Sequence, residues 1–479
     1  MYNLEKQPMN SLSPMNNLSQ KFLLLMLCNL LLCVVSSGCD SLEPIAASKS
    51  KNVSDRDPKG LTPQQDTISE EELRRLTDPS YRKKRELRFL RAPKLRSLEF
   101  PLTAGMNAIW GATGKDHLGR VYLGVSAWDG GDDPSASLWR YDPGVDSFEL
   151  LGDINQTLSD LGIRKVNPFP ETQIKIHSKI VQASDGKMYF ASQDEHQEKA
   201  DGSSNALFGG RLFALDPILK KWECIYTAPE GLIALAARGH YVVAQGYFGH
   251  VLYQYDVDSK SIKSKKLGTV NGHVSRNIFM DRRMHVYGIR VRQAAQGEHD
   301  GVYNVDEQLV RVSLVELDTQ LEEVNDWPLE DYVITGTTSA TGITGFCELV
   351  DGSIVFVAES GALWIIRLQG DRSELNRLGW IGTDGPCFCG GLFSPYGERF
   401  VSGLTIKKGE AFYRWNIFDI EKRQSFSLKL DADSQKLLQR PNLLAYGSET
   451  IDHESRAYVV GRRQLNDGKA PYVLQLSWE

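Results

Sequence analysis

The sequence predicts an all-β protein built as a seven-bladed β-propeller, with an N-terminal signal sequence and a flexible tether ahead of it. Three observations lead there. An apolar run over residues 22–35 is followed by small residues ending in Cys39. Residues 40–80 are polar and poor in aromatics. From residue 105 onward a strand-and-turn unit recurs seven times at a spacing of about 40 to 60 residues, the repeat length expected of propeller blades.

The apolar run, Phe-Leu-Leu-Leu-Met-Leu-Cys-Asn-Leu-Leu-Leu-Cys-Val-Val, follows Lys21. It falls short of the roughly 20 residues a membrane-spanning helix needs and matches the apolar region of an export signal. Ser36-Ser37-Gly38-Cys39 resembles the bacterial lipobox, in which the cysteine is lipidated and becomes the new N-terminus. The resemblance implies a signal peptide over 1–38, a lipid anchor at Cys39, and a location at the cell envelope facing the periplasm or exterior. A plain secretory signal and an uncleaved anchor are the alternative readings.

Residues 39–94 are expected to be a flexible tether, because their composition cannot bury a core. Ser69-Glu70-Glu71-Glu72 ahead of Leu73 and Leu76 fits a capping box opening a short helix. Residues 81–96 are strongly basic, a stretch that either lies on anionic headgroups or is a solvated linker.

The body, 95–479, carries the repeats. Asp116–Gly124 precedes Leu138–Pro143, and Asp185–Phe190 precedes Leu212–Pro217 with Trp222 beyond. Gly239–Val243 precedes Leu252–Asp256, Asp281–Tyr287 precedes Leu309–Asp318, and Asp351–Phe356 precedes Ala362–Leu368. Tyr396–Gly403 precedes Tyr413–Asp419, and Arg456–Gly461 precedes Tyr472–Leu476. Alternation of period two makes half-buried strands, and Asp-Gly pairs punctuate hairpins. Such a meander buries both faces only by stacking radially on its neighbours. The chain ends soon after the third strand of the seventh unit, so Leu95–Leu102 is expected to pair with residues 471–477 and close the ring.

Gly-Lys-Met-Tyr-Phe (186–190), then Leu-Phe-Ala-Leu-Asp-Pro (212–217) and Trp222, resembles a kelch unit, and the repeats are similar to quinoprotein-like propeller units. The resemblance covers about residues 105–479 and implies fold rather than activity, because Gly130-Gly131 and Gly209-Gly210 fall in loops instead of after the second strand. The tryptophan-docking repeat of quinone-dependent dehydrogenases is missing, so no pyrroloquinoline quinone cofactor is expected.

The chain carries a net charge of −6, which disfavours nucleic acid as a partner. Four cysteines follow Cys39: Cys224, Cys347, Cys387 and Cys389. The last three fall on neighbouring innermost strands, leaving open a disulfide or buried free thiols. Gly-x-Ser-x-Gly, His-Glu-x-x-His and Walker motifs are missing.

Candidate chemistry sits where innermost strands begin, because their starts converge on one central opening. His177 and His273 start two of them. Two histidines at one channel mouth suit a divalent metal or acid–base work, with Asp194, Gln193 or Arg276 as the third polar group. Arg276, Arg290 and Arg292 either grip an anion or pair with acidic loops. Those loops hold Asp129, Asp132, Asp133, Asp194, Glu195, His196, Glu198, Asp201, Glu298, His299 and Asp300, an acidic rim or simply solvated side chains. The expected function is a lipid-anchored envelope platform binding an envelope protein or a glycan. The alternative is a metal-assisted lyase or hydrolase acting on an acidic polysaccharide, with His177, His273 and Arg276 catalytic and His177, His273 and Asp194 holding the metal.

Overall fold

Seven antiparallel sheets follow one another along the chain. The computed structural model describes residues 89–478 except 129–132, 200–202, 270–272, 274, 306, 334–341, 395, 396, 398, 440–442 and 467. The expected export signal, Cys39 and the capping-box helix lie outside the described residues, as do Asp129, Asp132 and Asp201 of the acidic loops.

Blade 3 shows the plan most simply. Leu232–Arg238, Tyr241–Gly246, Val251–Asp256 and Ile262–Lys266 form a meander whose strands pair in sequence order, from the axis outward. Blades 5 and 6 repeat it, from Ile343–Glu348 to Arg372–Trp380 and from Phe388–Phe393 to Gln424–Leu428. Blade 4 departs at its rim, where Val302–Val305 and Glu323–Pro328 share the outer edge of Gln308–Leu317. In a meander the first and third turns lie on one face. The turns between the second and third strands lie on the other, with the links from blade to blade.

Each sheet is apolar on both sides and is covered by its neighbours. Phe190, Phe213 and Trp222 of blade 2 pack with Tyr122, Trp139 and Leu151 of blade 1. The other neighbouring pairs share clusters of the same kind. Near the axis the contact is backbone on backbone. Ile180 N donates to Thr113 O at 3.0 Å. A Cβ on Gly114 would lie 1.5 Å from Ile180 O, so only glycine fits between blades 1 and 2 there.

The ring closes as the sequence predicts. Lys94–Leu98 becomes the outer strand of blade 7, paired from Lys94↔Ser477 to Leu98↔Val473. Packing begins ahead of it, where Phe89 is buried against Trp478 with ring centres 5.4 Å apart. Ser477 ends a third strand, so Lys94 enters on the face of the first and third turns.

The first hairpin of several blades carries a shared polar lock. Asp452 Oδ1 accepts from the Glu454 and Arg456 amides, and Oδ2 accepts from Arg456 Nε at 2.6 Å and Tyr458 OH at 2.7 Å. Asp116 binds the Leu118 and Arg120 amides, Arg120 Nε and Tyr122 OH in the same way. Asp281 binds the Arg283 and His285 amides, Arg283 and Tyr287 OH. These are charge-assisted bonds shielded from water, which makes them stronger than neutral surface ones.

Candidate functional site

The innermost strands of blades 1, 3, 5, 6 and 7 each lose register with their neighbours, at 106/108, 232/234, 343/345, 389/392 and 447/451. A bulge kinks a strand and re-aims its side chains. In blades 5 and 6 the kinks bring Thr344 and Gly390 to a small central cavity that Trp110, His177, Arg276 and Tyr446 also line. The space measures about 20 Å3, room for about one water-sized group. Lys175 pairs with Gln193 at the end of a second strand, so this end of the channel opens on the face of the long loops. That face is opposite the one where Lys94 enters.

His177 is 5% exposed, and neither of its ring nitrogens has a hydrogen-bond partner among the described residues. Trp110 and Tyr247 meet it edge-on, with ring centres 5.8 and 6.4 Å away. Burial, then the nearby charges of Lys175 and Arg276, hold its pKa well below the usual histidine value. At neutral pH it is a neutral imidazole offering one donor and one acceptor.

Arg276 lies over two rings, 4.9 Å from the centre of Tyr446 and 5.5 Å from that of Trp110. Its Nη1 is buried without a partner. Arg462 lies 5.1 Å from the Trp110 ring. Trp128 stacks on Trp110 at 5.5 Å with 16° between planes, and Lys175 sits 4.9 Å from the Trp128 ring. Neither Arg276 nor Arg462 has an acidic partner among the described residues, whereas Lys175 pairs with Glu195 and Lys179 with Glu449. Beside them Glu198 is pushed up to about 8, first by burial, so its carboxyl carries a proton at neutral pH. The mouth is therefore aromatic and net cationic.

The residues expected to hold a metal do not gather. His273 is buried and shares a 3.1 Å hydrogen bond with Tyr332 OH. Asp194 is buried, with Oδ1 bound to His196 and Oδ2 to the Phe208 amide. Two groups of three His, Cys, Asp or Glu ligand atoms lie within 4.8 Å of one another among the described residues. They are His240/Asp256/Asp258 and Asp281/His285/Glu316. The second already holds a cation, because Arg283 reaches both Asp281 and Glu316.

Arg290 pairs with Glu323 and Asp326, and Arg292 with Glu298. Asp133 pairs with Arg164. These loop acids are thus engaged by bases, and of the three arginines Arg276 alone reaches the cavity. Cys347, Cys387 and Cys389 are buried free thiols. Trp110, Trp128, Tyr247 and Tyr446 were not singled out in the sequence. Three of them adjoin a glycine, as Trp110-Gly111, Gly246-Tyr247 and Tyr446-Gly447. An aromatic beside glycine is the signal that marks these three, at or near an inner-strand kink for Trp110 and Tyr446 and at the end of a second strand for Tyr247.

No family model matches the chain, and no curated protein matches it. The solved structures similar to it include the Cps50 (Swd1) β-propeller domain of Myceliophteria thermophila. That match has 11% identity and a TM-score of 0.46, covering 81% of this chain and 100% of that one. The RRP9 WD40 repeats match at 13% identity and a TM-score of 0.43, covering 81% and 99%. Kuenenia stuttgartiensis hydrazine synthase matches at 10% and 0.42, covering 78% and 97%. Likeness this distant transfers no function, and the blade count stands on the sheet topology.

Proposed function

We propose that the protein is a lipid-anchored binding platform of the cell envelope, with its ligand seated over the channel mouth. The observation that carries this is the pairing of a buried His177 with an Arg276 in one cavity: among the described residues neither His177 nitrogen finds a hydrogen-bond partner and no acid pairs with Arg276. Buried polar groups are nearly always satisfied, and the exceptions concentrate where something else binds. The anchor rests on residues 22–39, and its attachment point is Cys39. The partner is an envelope protein or glycan. Lys94 enters the body on the far face, which leaves the mouth clear of the entering strand.

The test has two arms, both on the full-length protein. Expressed in a bacterium, it incorporates labelled palmitate, and the Cys39→Ser variant does not; equal labelling of both removes the anchor. Purified in detergent and mixed with a cell-envelope extract, it retains material of unchanged mass, and Arg276→Gln retains less than a tenth. Retention untouched by that variant removes the mouth from the proposal. Release of shortened chains turns the reading to catalysis.

A further inference from the structure

Resting on that reading, we infer that the mouth recognises an acidic saccharide, taking a sugar carboxylate between Arg276 and His177 and the sugar ring over Trp128. The polar half of the argument is the donor set. The Arg276 guanidinium is held over Tyr446 and Trp110 with its Nη1 buried beside the cavity, and a guanidinium's N–H groups match a carboxylate. Arg276 Nη1 has no acceptor among the described residues, and His177 adds two nitrogens likewise without partners to the same cavity. Arg462, over the Trp110 ring, adds a second positive charge beside it.

Size decides how much of the ligand enters. About 20 Å3 admits one small group and excludes a ring. The rest of the ligand must lie outside, against the half-buried Trp128 stacked on Trp110. What Trp128 leaves exposed beyond Trp110 and Lys175 is indole surface, which suits the C–H face of a pyranose better than a winding peptide. Sites of this kind combine aromatic walls with a few placed polar groups. The protonated Glu198 and the Lys175–Glu195 pair keep the nearby acids from repelling an anion.

The experiment is a titration of the full-length protein in detergent, read by tryptophan fluorescence and calorimetry. The probes are a glucuronate oligosaccharide, glucuronate, glucose, acetate and an acidic peptide. The glucuronates are expected to bind saturably, acetate weakly and glucose not at all. Arg276→Gln and His177→Ala are each expected to weaken the glucuronates at least tenfold, with Arg276→Lys partly restored. Trp128→Ala, at a half-buried position, weakens the oligosaccharide but leaves acetate unchanged. Glucose binding as tightly as glucuronate overturns the carboxylate role, and tighter binding of the peptide overturns the saccharide. If every probe fails while retention from the envelope extract still depends on Arg276, the ligand class falls and the platform stands. If that dependence is lost too, both fall.

Discussion

Thr113 and Thr450, 337 residues apart, share a 2.8 Å hydrogen bond between the first and last blades. At the rim, Lys94–Leu98, the segment that precedes the first blade in the chain, pairs with Gly468–Ser477 and completes the last blade. The ring is thus sealed at its axis and at its rim.

Leu98 faces the core of that seal and is 5% exposed. Leu98→Ala is expected to lower stability by about 2–4 kcal/mol, the usual cost of a buried leucine truncation. Urea unfolding of the full-length protein measures it.

Asp452 accepts four hydrogen bonds, and removing it takes the acceptor from the buried Tyr458 hydroxyl and leaves Arg456 with Glu454. Asp452→Ala is expected to cost about 2–3 kcal/mol, and Tyr458→Phe about 1 kcal/mol. The unfolding midpoints of the two variants give the comparison.

Stability should peak in weak acid. Burial, then His273 and Lys266, holds the buried His250 ring at about 3 against an ordinary 6.5. Below pH 6.5 the unfolded chain takes up that proton first, so stability falls with pH down to about 3; His177 acts in the same direction. Glu198 runs the other way. Its carboxyl sits at about 8 against 4.5, so the unfolded chain ionises first and stability falls as pH rises from 4.5 to 8. Melting between pH 4 and 9 should show both limbs, and Glu198→Gln should flatten the alkaline one.

EDTA, or added calcium, manganese, zinc or magnesium, is expected to leave the melting temperature unchanged, because Asp194 is spent on His196 and the Phe208 amide. A ligand at a hundred times its dissociation constant raises stability by about 2.7 kcal/mol, a shift that calorimetry resolves.

Native labelling at pH 8 with a thiol reagent should reach Cys224 before the other cysteines of the body. Burial pushes Cys387 up to about 12 and raises Cys347 and Cys389 as well. Thiols that stay protonated and covered do not react. Fast labelling of Cys389 would contradict its burial.

The blades were legible because period two, Asp-turn spacing and repetition all agree along the chain. His177 was legible because it was read at the start of an innermost strand, and Arg276 because it lies three residues beyond His273, read at the start of another. The proposed metal trio was not assembled, and the reason is local. Asp194 stands two residues before His196 and folds back on it, a side-chain turn that short polar residues make readily. The aromatic half of the mouth was hidden because Trp110 and Tyr446 look like ordinary strand residues until bulges turn them. The lock of the seventh blade starts at Asp452, ahead of the Arg456 where the repeat was read, though its Asp-x-x-x-Arg-x-Tyr spacing matches that of Asp116.

The closing pair Lys94↔Ser477 also sets a clock. The strand that completes the ring is synthesised ahead of the first blade, and its partner after the sixth. Until residue 477 has been made, blade 7 does not exist and Lys94–Leu98 is an unpaired edge open to wrong neighbours. The six other blades can stack in the order they emerge, but joining the two ends waits for residue 477. The ring therefore closes after its other blades can form, and chaperoning of Lys94–Leu98 matters for longer than that of the strands between.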